Sequence, residues 1–161
     1  KIKDAVCLDI GASTGGFTQV LLHYKAKTVY ALDVGHSQMA EELKNNPRVI
    51  VIEKTNVKEI NKSSFPQLFD FISADVSFIS LEHVLPKISI LLKGESVVLV
   101  KPQFEIKENK RIVTNPLLHK KVIEKIKHLT EKENLKVKDI VESPIKGSKG
   151  NKEYLFYLSK K

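Results

Sequence analysis

The sequence predicts an α/β fold: a seven-stranded, mostly parallel sheet with one antiparallel strand and helices on both faces. Three observations lead to it. Short apolar runs alternate with stretches of helical period, the pattern of a parallel sheet buried on both sides. A glycine-rich turn, Asp9-Ile-Gly-Ala-Ser-Thr-Gly-Gly-Phe17, directly follows the first apolar run and opens an amphipathic stretch. The last two apolar runs are joined by Ser-Pro-Ile-Lys-Gly-Ser-Lys-Gly-Asn, which leaves no room for a crossover helix, so they must pair antiparallel.

In chain order, strands are expected at Ala5–Ile10, Thr28–Asp33, Val49–Ile52, Phe69–Asp75 and Ser96–Lys101, then at Val137–Glu142 and Tyr154–Leu158. Between them, Phe17, Val20, Leu21 and Tyr24 keep helical spacing, as do Leu81, Val84, Leu85 and Ile88, so each set forms a stripe facing the core. Ser37 to Asn45 supplies a shorter helix before Pro47. A polar stretch from Glu105 to Asn115 leads to Pro116. Proline is favoured in a first helical turn, so a helix follows to Glu133 with Leu118, Val122, Ile126 and Leu129 on one face and mostly lysine on the other. A parallel sheet finished by an antiparallel hairpin is the Rossmann-like arrangement of class I methyltransferases rather than the six-stranded dinucleotide fold.

The chain of 161 residues fits one domain. No apolar run approaches the roughly 20 residues of a spanning helix, and Lys-Ile-Lys-Asp at the start lacks the apolar segment of a secretory signal. The single Cys7 sits in an apolar strand, where it reads as a small buried hydrophobe rather than a nucleophile. These features predict a soluble, cytoplasmic protein. The net charge of +8 is unevenly placed: residues 101–161 hold 16 Lys/Arg and 8 Asp/Glu, so the whole excess lies there. Such a basic side suits a polyanion, RNA or DNA.

A strand that passes through glycines into a helix sets backbone N–H groups beside a carboxylate and so cradles a nucleotide-like ligand. Ser13 stands where a pyrophosphate-binding turn needs its second glycine, and Asp9 opposes a pyrophosphate. A cationic ligand without phosphate, S-adenosylmethionine, matches better. Its expected contacts are Asp9, Gly11, Ala12, Ser13, Gly15, Gly16 and Phe17, then Asp33 and Val34, Asn56 and Asp75. Asp33 lies 22 residues after Gly11, near the spacing at which an acid binds ribose hydroxyls. Asp75 and Lys101 end neighbouring strands about 5 Å apart, within reach of one substrate, and form the candidate catalytic pair. Such a pair orients a hydroxyl and spreads the charge that develops as it attacks a methyl group. Glu153 begins the last strand beside them and would complete an acid–lysine–acid cluster. Lys146, Lys149 and Lys152, interleaved with Gly147 and Gly150, suit phosphate contacts. The five histidines show no metal-ligand spacing, so no metal is expected.

Four segments together, Leu-Asp-Ile-Gly-Ala-Ser-Thr-Gly-Gly-Phe-Thr, Ala-Asp-Val-Ser-Phe-Ile-Ser, Leu-Val-Lys-Pro-Gln-Phe-Glu and Ser-Pro-Ile-Lys-Gly-Ser-Lys-Gly-Asn, resemble the TlyA group of haemolysin-like proteins within the FtsJ-like ribose methyltransferases. The resemblance spans nearly the whole chain. It implies S-adenosylmethionine-dependent 2′-O-methylation of ribosomal RNA at cytidines, and a Lys-Asp-Lys-Glu tetrad. Asp75, Lys101 and Glu153 match three members by their surrounding motifs. The tetrad's first lysine lies upstream of the glycine turn in the family, and Lys1 and Lys3 do not match it. The resemblance thus implies that residues 1–161 are a single catalytic domain, without the family's N-terminal S4-type RNA-binding module. Two other readings are a membrane-active cytolysin, suggested by the family name, and a small-molecule O-methyltransferase on the same fold.

Overall fold

The computed structural model describes residues 1–106 and 112–161; part of the expected polar stretch from Glu105 to Asn115 falls outside the described residues. Seven strands, β1 (Val6–Ile10), β2 (Thr28–Leu32), β3 (Val49–Ile52), β4 (Phe69–Ala74), β5 (Leu92–Val100), β6 (Leu135–Glu142) and β7 (Tyr154–Lys160), form one sheet in the order β3-β2-β1-β4-β5-β7-β6. Pairings from β3 through β5 are parallel, and β7 runs antiparallel to both β5 and β6. The helices are α1 (Gly16–His23), α2 (Glu41–Lys44), α3 (Leu85–Leu91), α4 (Pro102–Glu105) and α5 (Pro116–Lys132).

Strand alternation sorts the core onto two faces. On β1, Val6, Leu8 and Ile10 join the larger cluster with Leu85 and Ile88 of α3 and Val122 and Ile126 of α5. Cys7 points the other way, into a cluster with Leu21 and Leu22 of α1 and Met39. Burial pushes the Cys7 thiol up to about 12, so it is an inert packing group. No helix among the described residues is long and apolar enough to cross a membrane.

Several boundaries differ from the sequence reading. The helix expected from Ser37 to Asn45 is one turn, Glu41–Lys44, after a bend at Ser37 with φ +55°. The stripe from Leu81 to Ile88 is buried as expected, but splits into a 3-10 turn, Leu81–His83, and α3. Ser80 accepts a hydrogen bond from Glu82 N–H at that turn, and Pro86, which has no N–H to donate, falls in the first turn of α3. Strand β5 begins at Leu92, and α4 follows Lys101 directly; its four residues are too few for periodicity to reveal.

Asp9 shares the α1 face. It is fully buried, with one carboxylate oxygen accepting from Thr18 Oγ1 at 2.7 Å and the other from Ser73 Oγ at 2.8 Å. Loss of water outweighs those two bonds and raises its pKa from 3.8 to about 6. The folded chain therefore holds a proton that the unfolded chain releases, and this group lowers stability as pH rises from about 4 to about 6. Asp9→Asn should be stabilised relative to the wild type by about 2 kcal/mol more at pH 7 than at pH 4 in urea unfolding. An equal difference at both pH values would contradict this environment for Asp9.

Candidate active site

The carboxyl ends of β1 to β4 open onto a cavity of about 590 Å³, within the range of small-molecule sites. Gly11, Ser13, Asp33, Val34, Asn56 and Asp75, all expected from the sequence, line it. Asp33, just past β2, accepts from Ser13 N–H with one oxygen and from Gly35 N–H with the other, each at 2.7 Å. Ser13 adopts φ +49°, a left-handed backbone that here aims its N–H at the carboxylate. Each Asp33 oxygen keeps a lone pair for a further donor, as vicinal hydroxyls would require. Asn56 anchors its own turn by accepting from Lys58 N–H at 3.0 Å.

The remaining turn residues do not line the cavity. Ala12 and Gly15 are buried, with Gly15 at φ +106° against Leu43 and Met39. Gly16 and Phe17 begin α1. None of these four, nor the buried Asp9, is among the cavity-lining residues. Asp9 fixes the turn from below because its position in β1 faces α1.

At the far edge of the cavity, Lys101 Nζ stands 2.6 Å from Asp75 Oδ1 and donates to Ser77 Oγ at 3.1 Å. The 2.6 Å contact is an ion pair by distance, yet Asp75 Oδ1 is buried and receives no well-aligned donor, so its hydrogen-bonding capacity is incompletely used. Glu153 is buried and lies one step beyond the β5–β7 pair Val100–Tyr154, hence opposite Lys101. Its hydrogen bond is to Gln103 Nε2, at 3.1 Å, rather than to Lys101. Gly147 leaves it room: a Cβ there would fall 2.0 Å from Glu153 Oε1. The structure thus joins Asp75 to Lys101 directly and sets Glu153 opposite Lys101 across the strand pair, bonded to Gln103. Among the described residues, no group of three or more His, Cys, Asp or Glu is placed to hold a metal ion.

Two further features have little sequence signal. Phe78 is 91% exposed at the cavity mouth, with φ +62° and its ring 5.0 Å from Phe104. For a bulky residue both the left-handed backbone and the exposed ring are uncommon. The second is Glu105, whose buried carboxylate accepts from Ser80 Oγ and Leu81 N–H, each at 2.7 Å, and from Lys125 Nζ at 3.0 Å. It clamps the loop after Asp75 to the helix after Lys101. No local spacing identifies it, since its partners lie on distant segments.

A sheet of this order, with one reversed strand and an acid-lined cavity over the strand ends, defines the Rossmann-like class of methyl-transfer proteins. The chain belongs to the FtsJ-like methyltransferase family, whose profile matches residues 1–160. It is 43% identical to Hemolysin A of Brachyspira hyodysenteriae, over 98% of this chain and 68% of that protein. It is 39% identical to the 16S/23S rRNA (cytidine-2′-O)-methyltransferase TlyA of Mycobacterium tuberculosis, over 94% of this chain and 59% of that one. The solved structure of a hemolysin-named protein of Lactococcus lactis superposes with a TM-score of 0.96 at 42% identity, covering 99% of this chain and 80% of the other. The chain spans 58% to 68% of the length of the curated relatives.

Glu105→Ala should lower unfolding stability by about 2 kcal/mol, since it strands a buried N–H and one end of an ion pair. Chemical denaturation measures it, and a change within about 0.5 kcal/mol would mean the clamp is not holding the two segments together.

Proposed function

We propose that this domain transfers a methyl group from S-adenosylmethionine to a ribose 2′-hydroxyl of ribosomal RNA, at cytidine, in the cytoplasm. The observation that carries the proposal is the Lys101–Asp75 pair at the edge of a cavity walled by Asp33. The relatives' names supply the RNA and the cytidine. Two carboxylates, Asp33 and Asp75, face the cavity, and carboxylates attract a cationic ligand and repel a phosphate.

When bound, S-adenosylmethionine supplies a methyl group on a positively charged sulfur that departs as a neutral thioether. Asp33 would accept hydrogen bonds from its ribose hydroxyls, and Val34, Asn56 and the Gly11–Ser13 turn would hold the rest of it. The Asp75 carboxylate, paired with Lys101 and partly exposed at the cavity, accepts a hydrogen bond from the attacking 2′-hydroxyl. Lys101 orients that hydroxyl and offsets the negative charge left on its oxygen as the O–H proton passes to the Asp75 carboxylate and the oxygen bonds to the methyl carbon. Glu153 and Gln103 hold the end of β5 from the other side. Much of the acceleration comes from positioning. Phe78 offers its exposed face to the target base, and the strand runs over the basic C-terminal side.

Lys101→Ala should lose more than about 100-fold in methyl transfer while S-adenosylmethionine affinity by calorimetry stays within a few-fold. Substantial activity in that variant would remove Lys101 from the mechanism. Asp33→Ala should weaken S-adenosylmethionine binding by at least about tenfold. Unchanged affinity would place the cofactor elsewhere.

A further inference from the structure

A second cavity, of about 410 Å³, lies between the segment after Ile112, the start of α5 and the loop joining β6 to β7. Its walls are tied by buried polar groups. Val113 N–H donates to Asn151 Oδ1 at 2.9 Å, His119 Nε2 donates to Val113 O at 2.7 Å, and the Tyr154 hydroxyl and His119 Nδ1 share a hydrogen bond of 2.9 Å. Asn151 and His119 are both buried, so this shape is built by the fold rather than by mobile side chains.

The lining combines two chemistries. Ile123 and Tyr154 contribute apolar and aromatic surface. Lys120 from α5, and Lys146 and Lys152 from the loop between β6 and β7, line it from two elements. Lys152 pairs with Glu142 at 3.4 Å, whereas Lys120 and Lys146 have no ion-pair partner among the described residues. A concave site with an aromatic wall and two uncommitted ammonium groups fits a flat base joined to phosphates. A membrane surface would need a convex apolar face instead.

Topology gives the cavity its place in the reaction. In the order β3-β2-β1-β4-β5-β7-β6 the acid-lined cavity covers the ends of β3 to β4, Lys101 ends β5, and Tyr154 begins β7. The second cavity therefore borders the next strand beyond Lys101, about 4.8 Å further along the sheet edge. The Lys101–Asp75 pair stands between the cavity walled by Asp33 and this lysine-lined one.

We propose that this cavity holds the nucleotide next to the methylated one on a single RNA strand, its base against Tyr154 and Ile123 and its phosphates on Lys120 and Lys146. The assignment rests on the RNA reading above and adds a subsite to it. The test is fluorescence anisotropy with a labelled single-stranded RNA oligonucleotide across a salt series, alongside calorimetry with S-adenosylmethionine. The Lys120→Ala/Lys146→Ala variant should bind RNA about tenfold more weakly, with a log–log salt slope shallower by about 1.4, and keep its cofactor affinity. Ile123→Trp, which fills the cavity without changing charge, should lower RNA affinity about threefold at an unchanged slope. Lys3→Ala/Lys27→Ala, at the opposite edge of the sheet, should match the wild type. RNA affinity and slope unchanged in both cavity variants would overturn the subsite while leaving the methyltransferase reading intact. Equal losses in the Lys3/Lys27 control would reduce it to a general charge effect and overturn it as well. Loss of binding to anionic vesicles with RNA affinity unchanged would assign the lysines to a lipid surface instead. A wild-type chain that binds S-adenosylmethionine but no RNA would remove the RNA reading itself, and this site with it.

Discussion

The site depends on how closely Gly11 crosses the backbone of Asp75. A Cβ at Gly11 would lie 2.0 Å from the Asp75 carbonyl oxygen, and Gly11 itself holds φ +78°. No other residue type meets both conditions without moving the chain. At the same crossing Asp75 N–H donates to Ile10 O at 2.9 Å and Gly11 N–H to Leu32 O at 2.8 Å. The ends of β1, β2 and β4 are thus locked together before any side chain is considered. That lock sets Asp33, the glycine turn and Asp75 in one frame, which catalysis by positioning requires.

Polarity within this frame follows from which face each acid occupies. Asp9 points under α1, where burial favours its neutral form and two hydroxyls satisfy its oxygens. Asp33 and Asp75 follow the ends of their strands and stand at the cavity. The charge excess lies beyond Lys101 in sequence, and three of its lysines surround the second cavity. The Lys101–Asp75 pair therefore stands between a cavity walled by Asp33 and one lined by three lysines.

Much of this was legible in the sequence because the relevant signals are local. The apolar runs gave all seven strands, and the glycine-containing loop from Ser143 to Asn151 gave the reversed β7. Asp33, Asp75 and Lys101 could be singled out because a polar residue closing an apolar run reaches the carboxyl edge of the sheet. The same rule put Asp9 at the ligand, but Asp9 lies one residue inside β1 and its side chain faces α1. Long-range contacts were not legible: the Glu105 clamp joins segments 24 and 20 residues away, and Glu153 meets Gln103 across 50 residues. Phe78 reads as an ordinary apolar residue in Asp-Val-Ser-Phe; only its backbone and exposure distinguish it.

The most direct test of the central claim is to incubate the chain with deuterium-labelled S-adenosylmethionine and ribosomal RNA, digest the RNA to nucleosides and locate the label by mass spectrometry. Label on the ribose 2′-oxygen of cytidine, absent with Lys101→Ala, is the predicted result. Label on a base, or equal labelling by the variant, would contradict the placement of the reaction at the Lys101–Asp75 pair.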